Sequence, residues 1–134
     1  MTWVLDTHVL AWAYLDDPRL SAAASRVVAR ARSDELLASD VTLTEFARII
    51  ADGNLAIAGD AQSWLREIAS YATVVPVSDE IADRAIALRK SRRMKLGDAI
   101  IAATALVHDL IVVTRNTRDF EGIGVTTINP WEVA

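Results

Sequence analysis

The segment Leu96-Gly-Asp-Ala-Ile-Ile-Ala-Ala-Thr-Ala-Leu-Val-His-Asp-Leu-Ile-Val-Val-Thr114 decides how this chain folds. Leu96 to Asp109 predicts a helix that is apolar on nearly every side, so it belongs in the middle of the structure, covered on most faces. Ile111–Thr114 follows almost at once as a β-branched strand. Working outward, the same alternation recurs. Thr2–Leu5 reads as a buried strand, His8–Leu15 as a short helix stopped near Asp16-Asp-Pro18, and Ser21–Ser33 as a helix with apolar spacing at Ala24, Val27, Val28 and Ala31. Glu35–Ser39 is a second strand. A helix capped by Asp40 or Thr42 then runs to about Ala51 and closes at Gly53-Asn54. Asp60–Tyr71 is a helix, and Thr73–Val77 is a strand whose Pro76 suggests an edge or a strand end. Ser78 caps a helix that ends in a basic window, and Gly124–Ile128 is the last strand. Strands separated by helices imply βαβ crossovers. The expected fold is a three-layer α/β/α sandwich with a mainly parallel central sheet, formed as one domain over 1–134.

Four acids fall where this topology would bring side chains together. Asp6 ends the first strand, Glu45 and Asp98 lie in the first turns of two helices, and Asp119 lies just past the Ile111–Thr114 strand. Ligands in open parallel sheets bind at the carboxyl ends of strands. Converging carboxylates repel one another unless a cation or a proton compensates them, and oxygen-only sets suit Mg²⁺ or Mn²⁺. Each acid also has a purely structural reading. Asp6 fits a cap on the following helix, and Thr42-Leu-Thr-Glu45 fits a capping box. Asp98 fits a helix N-terminus favoured by the macrodipole, and Asp119 fits a turn residue paired with Arg115 or Arg118.

The bulk numbers narrow the class. The chain has no cysteine, which excludes disulfides and thiolate metal sites. The longest near-apolar run, Ala99–Val107, is far shorter than the roughly 20 residues that span a bilayer. The N-terminus lacks a basic start, and Asp6 interrupts its apolar run, so no signal peptide is read and a cytoplasmic location is expected. Net charge is −4, yet it is unevenly placed: residues 1–83 carry 6 basic and 13 acidic groups, and residues 84–134 carry 8 basic and 5 acidic. Arg84, Arg89, Lys90, Arg92, Arg93 and Lys95 lie in a window without an acid. Such a patch contacts phosphates whatever the net charge, although a charge run is more often a solvated helix face. His8 and His108 have no second ligand at zinc-like spacing. Trp3, Trp12, Trp64 and Trp131 are expected in the core or at interfaces, with Trp12 and Tyr14 marking a possible partner surface.

Taken together, Val4-Leu-Asp-Thr-His-Val-Leu10, Thr42-Leu-Thr-Glu-Phe-Ala-Arg48, Leu96-Gly-Asp-Ala-Ile-Ile-Ala-Ala-Thr-Ala105 and Val113-Thr-Arg-Asn-Thr-Arg-Asp-Phe120 resemble the PIN-domain ribonucleases, and among them the VapC-type toxins of bacterial toxin–antitoxin pairs. The resemblance implies a Mg²⁺- or Mn²⁺-dependent endoribonuclease with Asp6, Glu45, Asp98 and Asp119 as its catalytic and metal-binding acids. It implies that Thr7, Thr114 and Asn116 orient ligands, and that hydrolysis leaves 5′-phosphate and 3′-hydroxyl ends. Arg92, Arg93, Arg115 and Arg118 are the expected phosphate contacts. A small antitoxin is the implied partner, with the toxin a homodimer. His8 departs from the Asn or Ser that many members carry after Asp-Thr.

Rival readings fit less well. A haloacid-dehalogenase-type phosphatase wants an Asp where His8 stands, and a receiver domain wants a Lys where Arg115 stands. The alternative from outside enzymology is a catalytically silent PIN-like binding module.

Overall fold

A computed structural model describes residues 2–30 and 35–132. In chain order the elements are β1 (Trp3–Leu5), α1 (Thr7–Tyr14), α2 (Ala22–Arg30), β2 (Leu36–Ser39), α3 (Val41–Ala51), α4 (Ala61–Tyr71), β3 (Thr73–Val75), α5 (Asp79–Ser91), α6 (Leu96–His108), β4 (Ile111–Val113) and β5 (Thr126–Ile128). Short 3-10 turns span Thr117–Phe120 and Pro130–Glu132. Residues 31–33 of the predicted second helix lie outside the described residues.

The five strands form one sheet in the order β3-β2-β1-β4-β5, with every neighbouring pair parallel. Alternation along each strand divides the interior into two layers. Val4 and Val112 face a cluster with Ile81, Ala85, Ala99, Ile101 and Ala102 from α5 and α6. Leu5 and Val113 face the opposite way, into Val9, Leu10, Phe46, Trp64 and Ile68 from α1, α3 and α4. This is the expected α/β/α sandwich. The helix that opened the sequence reading is central: Ala99, Ile101, Ala102 and Ala103 of α6 are fully buried. Its small residues let it lie close to both the sheet and α5.

Several boundaries shift for local reasons. β3 stops at Val75, since Pro76 has no N–H to extend a ladder, and it is an edge strand. Ser78 does cap α5, its hydroxyl accepting the N–H of Ile81 at 3.1 Å. Asp60 likewise caps α4 through the N–H of Ser63 at 2.9 Å. Asp40 occupies the cap position of α3 without a side-chain cap bond, and Thr42 lies inside that helix. The capping box suggested for Thr42 and Glu45 therefore does not form, and both side chains point to the site described next.

The sheet order also fixes where that site must be. From β1 the chain moves outward to β2 and β3, then crosses back over to β4 on the other side of β1. The carboxyl ends of β1 and β4 are therefore the switch point, where diverging connections leave a crevice.

Candidate active site

Asp6 is the first residue after β1, and two neighbours hold it. One carboxylate oxygen accepts the N–H of Thr7 at 2.7 Å, so Asp6 does cap α1. The other accepts the hydroxyl of Thr114 at 2.8 Å. Thr114 is fully buried just past β4, and its oxygen also accepts the N–H of Asn116 at 3.0 Å. The cap and the site residue are thus one side chain, and the bond from Thr114 ties the two switch-point strands together.

Glu45 is held through a relay. The Thr7 hydroxyl donates to a Glu45 carboxylate oxygen at 2.8 Å, and the Thr7 and Thr42 hydroxyl oxygens are 3.1 Å apart. Thr7 has one hydroxyl proton, already given to Glu45, so Thr42 is the donor to Thr7. Both threonines are buried. Thr42 was read from sequence only as a cap, and its role here has no local signal.

Asp98 stands in the first turn of α6 and is half-buried. Burial pushes its carboxyl up to about 6, and the neighbouring carboxylates of Asp6, Asp119 and Glu45 push the same way, against Lys95. The four acids therefore share one field. Asp119 is exposed on the 3-10 turn, which the buried Phe120 anchors. Among the described residues it forms no ion pair with Arg115 or Arg118, so the turn-pair reading fails.

Gly97 explains how α3 and α6 approach so closely. A Cβ added there would stand 2.8 Å from a Glu45 carboxylate oxygen. The obstructing atoms are the far end of a flexible side chain, so they can move. Gly97→Ala should therefore leave stability within about 1 kcal/mol of wild type, because alanine is also the better helix former. The displaced Glu45 should lose its bond from Thr7, and any chemistry that depends on its placement should slow by roughly 10- to 100-fold, the usual effect of disturbing a supporting contact. Paired melting curves and initial rates check this, and equal rates would show that the position of Glu45 is immaterial. The sequence signal was available: a glycine inside a helix marks a close approach.

The donor set is oxygen-only and mutually repelling, which fits a hard divalent cation. Among the described residues no three acidic or histidine side chains already close around a single point. A pH effect follows in metal-free buffer. The folded-state value for Asp98 lies above its ordinary 3.8, so its contribution to stability is full below about pH 4 and is lost as pH rises past about 6. Discounted for partial exposure, wild type should lose about 1–2 kcal/mol relative to Asp98→Asn across that window. Urea titrations in EDTA would read it. Superimposable profiles would mean that the acids do not interact.

A cleft of about 500 Å³ opens beside the acids, lined by Arg89, Arg92, Arg93, Met94 and Lys95 with Asp98 and Asp119. Arg92 is anchored by donating to the Glu121 carbonyl, and Arg93 is exposed. Arg89 and Lys95, members of the basic window read from sequence, belong to this wall beside Arg92 and Arg93. Arg115 and Asn116 line a second cleft with Asp6, and Arg118 lines neither. His8 is exposed, and Tyr14 turns inward, donating to Glu67 and packing edge-on against Trp64 and Tyr71.

An α/β/α sandwich with four acids at the β1/β4 switch point defines a class, and comparison with known proteins agrees with it. The PIN domain pattern matches residues 3–125, and the chain belongs to the PIN-domain family. Within that family it is 32% identical over 117 residues to "Ribonuclease VapC22" of Mycobacterium tuberculosis, covering 87% of this chain and 88% of that one. A toxin–antitoxin complex from Klebsiella pneumoniae contains a chain 28% identical, with a TM-score of 0.72 over 98% of this chain and 100% of that chain. FitAcB from Neisseria gonorrhoeae shares the fold, with a TM-score of 0.78 and 24% identity over 98% of this chain and 100% of the other. Among the described residues no helix is long and apolar enough to cross a membrane.

Proposed function

We propose that this chain is the endoribonuclease toxin of a toxin–antitoxin pair, cutting RNA at the cluster formed by Asp6, Glu45, Asp98 and Asp119. The observation that carries the reading is the geometry: Asp98 and Asp119 line one cleft with a wall of Arg89, Arg92, Arg93 and Lys95, and Asp6 and Glu45 are held by buried threonines at the same sheet edge. The relative from Mycobacterium tuberculosis is named a ribonuclease, and the Klebsiella pneumoniae structure is a toxin–antitoxin complex. Both support the same reading.

The four acids are the residues that would hold Mg²⁺ or Mn²⁺. Such an ion supplies Lewis-acid polarisation of the phosphodiester and neutralises the charge that develops on its oxygens. The chain's own groups do the rest. Thr114 and the Thr7 N–H fix Asp6, and the Thr42–Thr7 relay fixes Glu45. Arg92, Arg93 and Lys95 bind flanking phosphates and align the backbone over the acids. Hydrolysis by water leaves 5′-phosphate and 3′-hydroxyl ends. The protein acts as a homodimer neutralised by its cognate antitoxin.

The test is cleavage of a defined RNA by purified protein with Mg²⁺, with Mn²⁺ and with EDTA, the ends being typed by ligation. Metal-dependent cutting to ligatable 5′-phosphate ends is expected. Cutting that survives EDTA, or that leaves 2′,3′-cyclic phosphates, would falsify the metal-site mechanism. No cutting under any condition, with RNA binding intact, would favour the silent binding module.

A further inference from the structure

We propose that the second cleft beside Asp6 is a stacking subsite for one unpaired base of the RNA, next to the phosphate that is cut. This rests on the ribonuclease reading above. The cleft encloses about 420 Å³ and is lined by Asp6, His8, Trp12, Arg19, Arg115 and Asn116 among others. One wall is therefore a member of the acidic cluster, so the cleft opens directly beside the acids.

The rest of the lining includes the His8 and Trp12 side chains and the Arg19 and Arg115 side chains, which contacts to Trp131 link into one array. The His8 and Trp12 rings lie 5.8 Å apart, and Trp12 meets Trp131 edge-on at 5.7 Å. The Arg19 guanidinium lies 5.4 Å from the centre of the Trp12 ring, and that of Arg115 lies 5.6 Å from the centre of the Trp131 ring. Trp131 donates its indole N–H to the Arg19 carbonyl at 3.0 Å, which fixes the array. His8 is exposed, leaving its ring open to a ligand.

The two arginines have different duties. Arg19 donates to both carboxylate oxygens of Asp17, at 3.0 and 2.8 Å, so its charge is already compensated and it serves as part of the platform. Arg115 has no carboxylate partner among the described residues and is exposed. It is the phosphate contact of this subsite. Aromatic and guanidinium planes beside an unpaired cation are how proteins hold single-stranded RNA, and stacking accepts any base. Asn116 at the rim adds donors and an acceptor for base edges. Trp131 also packs against the core layer on the Leu5 and Val113 side of the sheet. Asp6 and Thr114 are positioned without the array.

The test is a binding scan on the full-length Asp98→Asn protein, which holds RNA without cutting it. A fluorescent unpaired oligoribonucleotide carries one abasic nucleotide, moved through each position in turn, and anisotropy gives the affinity. One position should cost about 10-fold or more. Adding His8→Ala or Trp12→Ala should erase that penalty at that position alone, and Trp12→Phe should restore it. A protein merely weakened in fold would lose affinity at every position alike. If no abasic position stands out, or if its penalty survives in both alanine variants, the subsite is wrong. If the RNA profile is unchanged while His8→Ala loses affinity for the co-expressed antitoxin, the cleft serves that protein, and the proposal falls. Metal-dependent cutting by wild type, run in parallel, reports on the ribonuclease reading separately, so either can fail alone.

Discussion

Asp98→Asn should abolish RNA cleavage and at the same time make the metal-free protein more stable. Burial raises the Asp98 carboxyl, and Asp6, Asp119 and Glu45 push it the same way. At neutral pH it is ionised against that opposition, and asparagine removes the charge while keeping the shape. The gain should be about 1–2 kcal/mol in EDTA at about pH 7.5, after discounting for partial exposure. The loss should be far larger. A ligand group acting as one unit with its neighbours commonly carries about 10³-fold or more of the rate. Urea midpoints in EDTA and initial rates at saturating Mg²⁺ read the two effects on one preparation. Residual cleavage within tenfold of wild type would remove Asp98 from the chemistry. A variant no more stable than wild type would remove the repulsion on which the site is argued. In cells, wild type should arrest growth with new 5′-phosphate RNA ends, and the variant should do neither.

Phe46→Ala should be the most damaging change to the fold that leaves every acid in place. Phe46 is fully buried, with its ring edge-on to Trp64 at a centroid distance of 5.3 Å. It pins α3 to α4 and the sheet one residue after Glu45. Truncation should cost about 3–5 kcal/mol, because the neighbours close only part of the cavity. For a chain of this length the melting temperature should fall by roughly 10–20 °C. Phe46→Leu should lose much less, since most of the volume stays. A drop under about 1 kcal/mol in the alanine variant would mean that α3 re-seats on other contacts. Cleavage measured well below the new melting point should also fall, because Glu45 depends on the seating of α3.

Asp6, Asp98 and Asp119 were legible in sequence because each sits near a local boundary that composition marks, whereas Glu45 lies in the second turn of α3 and not in the first turn expected for it. Asp6 follows an apolar run, Asp98 opens the apolar helix, and Asp119 precedes the anchoring Phe120. The strands and helices were legible because their periods differ, and Pro76 announced its own edge strand. The failures share a cause. The capping box at Thr42 and the turn pair at Asp119 were local explanations of residues whose partners are distant in sequence. Thr42 and Glu45 meet Thr7 across 35 and 38 positions, and Thr114 meets Asp6 across 108.

The amino-acid order by itself therefore settled the layer architecture, since hydrophobic period is a property of neighbouring residues, and it nominated the four acids as candidates. The packing of the folded chain settled which hydroxyl serves which carboxylate. It also settled that Gly97 faces the Glu45 carboxylate and that Trp12 meets Trp131. The bond from Thr114 to Asp6 exists only after β1 and β4 pair side by side, and no local pattern in the chain encodes that distance.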